Sequence, residues 1–162
     1  MSDNTPDTAP AGAAEKIISH SYNEFVLDLP EHWKGVPANE PDTLSFRSDL
    51  EQAVITVSAE FYVIPADKME AIAAHCADSR LKNLHEMRGE VNVLSRIIKP
   101  VATGEGLEVV FGAEVPGERI FLYVGYVTSH KVFNFTLACL PERNAAAALF
   151  DKVIPGLQVK MP

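Results

Sequence analysis

Tyr22-Asn23-Glu24-Phe25-Val26-Leu27-Asp28-Leu29-Pro30-Glu31-His32-Trp33 is the stretch on which the reading of this chain turns. Phe25, Leu27 and Leu29 fall on one side, with Glu24, Val26 and Asp28 on the other, which is the period-two pattern of a half-buried strand. Pro30 has no amide hydrogen to give to a sheet ladder and ends the strand. After a short turn, the indole of Trp33 folds back over the sheet edge and closes the core there.

Beyond Trp33 the residues from Lys34 to Asp42, with Gly35, Pro37, Asn39 and Pro41, read as a loop. Thr43 to Arg47 is a short strand with Leu44 and Phe46 inward, and Ala53 to Ile64 is the longest strand. On that strand Ile55, Val57, Ala59, Phe61 and Val63 share one face, and Val54, Thr56, Ser58, Glu60 and Tyr62 share the other. A helix is predicted from Lys68 to Met87, capped by Asp67 and stopped by Gly89, with an apolar stripe of Met69, Ile72, Ala73, Cys76, Leu84 and Met87. Four strands follow over Val91–Ile98, Leu107–Glu114, Arg119–Thr128 and Val132–Leu140. The third is apolar almost throughout, which predicts a central strand covered on both faces. Pro141 fits the first turn of a last helix lined by Ala146, Leu149, Phe150, Val153 and Ile154, and Leu157 to Pro162 pack along the domain edge.

The fold class predicted by this order is α+β: an antiparallel sheet with flanking helices. A chain of 162 residues is most simply one domain, residues 17–162, behind a disordered Pro/Ala/Asp/Thr tail of residues 1–16. A formal net charge of −8 with no Lys/Arg run excludes nucleic acid and disfavours anionic lipid. No apolar run approaches the ~20 residues of a spanning helix, and no leader precedes the domain, so the expectation is a cytoplasmic protein that does not enter the membrane. The two cysteines, Cys76 and Cys139, read as buried thiols.

No residue pattern here announces catalysis. His75 and His85 are ten positions apart on one helix, about 80° around the axis and ~15 Å along it, too far to share a metal. There is no G-x-S-x-G elbow, and Gly104-Glu105-Gly106 lacks the following helix that a phosphate loop needs. The acids Asp28, Glu105, Glu108, Glu114 and Glu118 are scattered over loops and alternate strand positions and read as a solvated face. No catalytic residue, metal or cofactor is expected.

The opening stretch resembles the Y-x-x-F-x-(apolar)-x-(apolar)-P-x-x-W start of the Mog1/PsbP-like proteins. The order of elements resembles that family over nearly the whole chain after the tail. The resemblance implies an α/β/α sandwich and a largely non-catalytic role. The family includes a bacterial branch of chaperones for apolar N-terminal segments of type VI secretion effectors, a role that the acidic character of the chain leaves open, although no residue here is diagnostic of it.

The second sheet face carries the functional expectation. If Ile55, Val57 and Phe61 pack with Leu107, Val109 and Phe111 on one helix, then Tyr62, Val110, Phe121, Tyr123 and Val127 lie on the opposite side. The three-turn last helix is too short to cover them all. The expected function is a protein-binding, adaptor or chaperone module that takes an apolar helical segment on this face. A small apolar-ligand carrier or enzyme with a cavity between sheet and helix is the alternative, and a homodimer through the same face is a third reading.

Overall fold

The computed structural model describes residues 15–38, 40–102 and 106–160. Most of the expected tail, Gly104-Glu105 and the last two residues lie outside them.

Among the described residues, ten strands form two antiparallel sheets. The larger has seven strands in the order β3 (Trp33–Val36), β4 (Thr43–Ser48), β5 (Ala53–Phe61), β9 (Lys131–Cys139), β8 (Arg119–Val127), β7 (Leu107–Val115) and β6 (Asn92–Pro100). The smaller is β1 (Ile17–Ser21), β2 (Phe25–Pro30) and β10 (Leu157–Val159). The helices are α1 (Met69–Arg88) and α2 (Arg143–Val153). No helix among the described residues is long and apolar enough to cross a membrane.

Two cores occupy the two faces of the large sheet. On one face Phe25, Leu27 and Leu29 of β2 and Trp33 meet Ile55, Val57, Phe133, Phe135 and Leu137, with Ala146, Leu149 and Val153 of α2 beside them. On the other, Ala73, Cys76 and Ala77 of α1 rest on Val109, Phe111, Ala113, Tyr123, Val127 and Val132. The contact side of α1 is small, so the helix approaches the aromatic side chains of β7 and β8 closely. β8 contributes Ile120 and Val124 to the first core and Tyr123 and Val127 to the second, which makes it the doubly covered strand that its apolar run predicts.

Several expectations are corrected. Trp33 to Val36 is a strand rather than the start of a loop, because Lys34 to Val36 continue the pairing with Arg47 to Ser45. The sheet is not single: β1 and β10 add a second, three-stranded one. The β5 and β7 groups lie on opposite faces, since Ile55 and Val57 join the α2 core while Val109 and Phe111 join the α1 core. Phe61 and Met87 are outside both cores, 61% and 77% exposed. Asp67 sits in a 3-10 turn ahead of α1 and makes no side-chain cap. The last helix starts at Arg143, two residues beyond Pro141, where the Glu142 carboxylate accepts from the amides of Asn144 and Ala145. Gly89 does end α1, at φ +88° with its amide on the His85 carbonyl.

Candidate functional site

α1 crosses β7, β8 and the edge strand β6. It stops short of the other half of the same sheet face. Antiparallel register defines what lies there. One cross-strand row runs Ser45, Thr56, Thr136, Tyr123 and Phe111. The row above is Thr43, Ser58, Asn134, Gly125 and Val109, and the row below is Arg47, Val54, Ala138, Phe121 and Ala113. On these rows Val109, Phe111, Ala113 and Tyr123 belong to the half that α1 covers, with Gly125 beneath the Tyr123 ring and Phe121 at the margin. The β4 and β5 residues, with Thr136 and Ala138 of β9, form an open surface of hydroxyls and small apolar groups, while Asn134 is buried at its edge. Thr56, Ser58, Thr136, Val54 and Ala138 on it are half-buried.

The boundary between the two halves is rigid. Tyr123 lies flat along its strand over Gly125, where a Cβ would meet the phenol oxygen at 2.2 Å. Its ring stacks on Phe111 at 5.0 Å, and the Arg80 guanidinium carbon stands 4.8 Å from its centroid. The Tyr123 hydroxyl donates to Asn134 Oδ1 at 2.6 Å, and Asn134 Nδ2 donates to Ser58 Oγ at 3.3 Å. Burial holds the Tyr123 phenol far above its ordinary pKa, against the lowering effect of Arg80. Burial likewise raises the Cys76 thiol. These groups therefore stay neutral at physiological pH and serve as scaffold for the open face.

The two ends of this face differ. At one end β5 runs past the start of β4, and a cleft of about 910 Å³ opens between Leu44, Phe61 and Phe133, rimmed by Glu40, Asp42 and Glu60. Phe61, Tyr62 and Val63 are exposed beside it by 61%, 48% and 81%. The other end is basic, with Arg47 and Arg119 around a shallow pocket of about 190 Å³.

The five residues expected to share one partner face divide three ways. Tyr123 and Val127 are fully buried in the core beneath α1. Val110 packs into the other core, on the opposite side of the sheet. Tyr62 and Phe121 remain at the margin of the open face: Tyr62 follows Glu60 at the acidic end, and Phe121 sits beside Ala138 near the basic end. The single-face grouping fails because the pairing of β5 with β9 brings together segments far apart in sequence and fixes which parity of each strand faces α1. The surface that sequence reasoning missed, Ser45, Thr56, Ser58 and Thr136, is visible on β5 as alternate hydroxyls. Only the strand order shows that β4 and β9 repeat the pattern alongside.

Other exposed groups are engaged locally. Glu108, Glu114 and Glu118 pair with Lys99, Arg143 and Arg88, so the acids of the scattered group that fall here act singly. On β6, Val93, Leu94 and Ile97 are exposed. A bulge between Val93 and Ser95 and the residues Arg96, Lys99 and Pro100 break that edge against continuous pairing.

Comparison with known proteins agrees with this architecture. The solution structure of cyanobacterial PsbP (CyanoP) from Synechocystis sp. PCC 6803 superposes with a TM-score of 0.65 at 18% identity, covering 98% of each chain. The fold is therefore the Mog1/PsbP-like one. No family model matches the chain. In sequence, 110 residues are 33% identical to a protein described as trigger factor from Pseudomonas fluorescens (strain SBW25), a match spanning 65% of this chain and 25% of that protein.

Proposed function

We propose that the protein is a non-enzymatic binding module, of adaptor or chaperone type, which holds a helical segment of a partner protein on the open half of its sheet. The observation that carries this reading is the bare β4–β5–β9 surface beside the rigid α1 half. Three strands at the usual spacing make it about 14 Å across, and Val54 to Glu60 extends it about 20 Å. One helix, ~10 Å in diameter, fills that width, and about 13 of its residues fill the length. Threonine methyls, Val54 and Ala138 supply apolar contact, and the hydroxyls accept or donate wherever the segment carries a polar group. Tyr62 and Phe121 flank the surface as aromatic anchors, the residue type that contributes most at interfaces. The Mog1/PsbP-like fold is compatible with such a role.

The reading is tested by fluorescence anisotropy with a labelled apolar helical peptide. Thr136→Glu, in the centre of the face, places a charge against the apolar segment and weakens binding at least about tenfold. The melting temperature of the variant is measured alongside, because Thr136 is half-buried and pairs across the strands with the buried Tyr123, and a retained fold separates lost contact from lost structure. Unchanged affinity in this variant contradicts the assignment.

A further inference from the structure

The basic end of the open face contains an unmet hydrogen-bonding demand. Arg119 lies two residues before Phe121 and so projects on the same side of β8. Arg119 is partly exposed, but its Nη1 is closed off from solvent and has no hydrogen-bond partner among the described residues, so an incoming group meets the rest of the guanidinium. A guanidinium always keeps its charge and its five donors, and leaving one of them buried and unpaired is costly. The pocket of about 190 Å³ that Arg119 lines is completed by Arg47, Ser48, Gln52, Val54 and the Asp49 carboxylate. Asp49 is taken by Arg47 at 3.2 Å, an exposed pair. The pocket therefore holds two guanidinium groups against one carboxylate.

We propose that this pocket takes a side-chain carboxylate of the docked partner segment, an Asp or Glu just past the C-terminal end of its helix, and that this contact sets the direction in which the helix lies. The inference rests on the docking reading above. The partner helix then runs along the strands with its C-terminal end over Arg119 and Arg47 and its N-terminal end over Glu60. The charges at both ends favour that direction. A helix carries partial negative charge at its C-terminus and partial positive charge at its N-terminus, matching arginines at one end and, at the other, Glu40, Asp42 and Glu60, which outnumber the Arg80 that lines the same cleft. A fork of guanidinium donors also fits a carboxylate better than it fits any neutral group.

The test is a double-mutant cycle with the full chain. Its probes are two synthetic peptides, an apolar helix of about 18 residues followed by Glu and the same peptide with Gln in that place. The Glu peptide is expected to bind wild type about tenfold more tightly than the Gln peptide. Arg119→Gln should remove that preference and leave the affinity for the Gln peptide unchanged. Arg47→Gln, at a half-exposed position that folding does not need, should reduce the preference in part. A nitroxide on the peptide's N-terminus should broaden amide signals near Glu60. Equal affinities of wild type for the two peptides, or broadening near Arg47 instead, overturns the proposed contact and direction while leaving docking intact. No binding by either peptide overturns the docking reading itself, and this proposal with it.

Discussion

Gly125 carries no side chain because the Tyr123 ring occupies the space in which one would stand. Gly125→Ala is therefore an overpacking change in a close-packed core, and it should lower stability by about 1–3 kcal/mol in denaturant unfolding. In a Tyr123→Ala background the same substitution should cost less, because the clashing ring is gone. The tyrosines also make stability depend on pH at the alkaline end. Tyr126, which donates to Glu108 at 3.1 Å, is pushed up to about 12 from an ordinary value of about 10 by burial and by that carboxylate. A raised pKa in the folded state means that the stabilising contribution is complete below pH ~10 and is lost between pH 10 and 12. Absorbance at 295 nm should accordingly show Tyr123 and Tyr126 ionising only together with unfolding. The thiols behave alike: Cys76 and Cys139 are buried and free, with raised pKa values, and a thiol reagent at neutral pH should modify neither until the chain is denatured. The buried character of both cysteines was legible in their apolar surroundings, whereas the ring lying over Gly125 was not, because nothing in a run of apolar residues shows which way a side chain turns.

Among the elements, a buried cation adds a polar link to the apolar contacts that join the small sheet to the large one. Lys131, at the start of β9, donates to Glu24 Oε1 at 2.8 Å and to the carbonyl of Lys160, while Lys160 Nζ donates to the Tyr22 carbonyl at 2.7 Å. The residues entering β2, leaving β10 and opening β9 are thus clasped at one point. Glu24→Ala leaves the Lys131 charge buried without its carboxylate. The expected loss is about 2 kcal/mol, less than for a fully buried pair because Glu24 is partly exposed. Lys131→Met should cost less, since the Glu24 left behind can reach water, and urea titration of the two variants distinguishes the cases. The clasp had no sequence signal, because its members lie 107 and 29 residues from Lys131. Elements themselves were far more legible. Alternation gave β2, β4, β5 and β7, and Gly89 gave the end of α1. β3 escaped because Gly35 and Pro37 read as loop chemistry, while its strand character comes from pairing with β4.

At the scale of the whole molecule, one half of a sheet face is a finished core and the other half is open. The apolar run of β8 foretold its double coverage, but the strand order β4–β5–β9–β8 decides which strands α1 leaves bare, and that order depends on contacts between distant segments. This is why the expectation from the sequence grouped Tyr123 and Val127 on an uncovered second face, whereas both belong to the core. The central claim, that the open face is where a partner segment docks, is tested most directly by chemical-shift mapping. The isotope-labelled chain is titrated with the apolar helical peptide, and its amide and threonine methyl signals are followed. The account predicts saturable shifts at Ser45, Thr56, Ser58, Thr136 and Ala138, fading across the boundary toward Val109. Shifts confined to β6 or to the α2 side of the sheet, with the Thr56 and Thr136 signals unmoved, would contradict it.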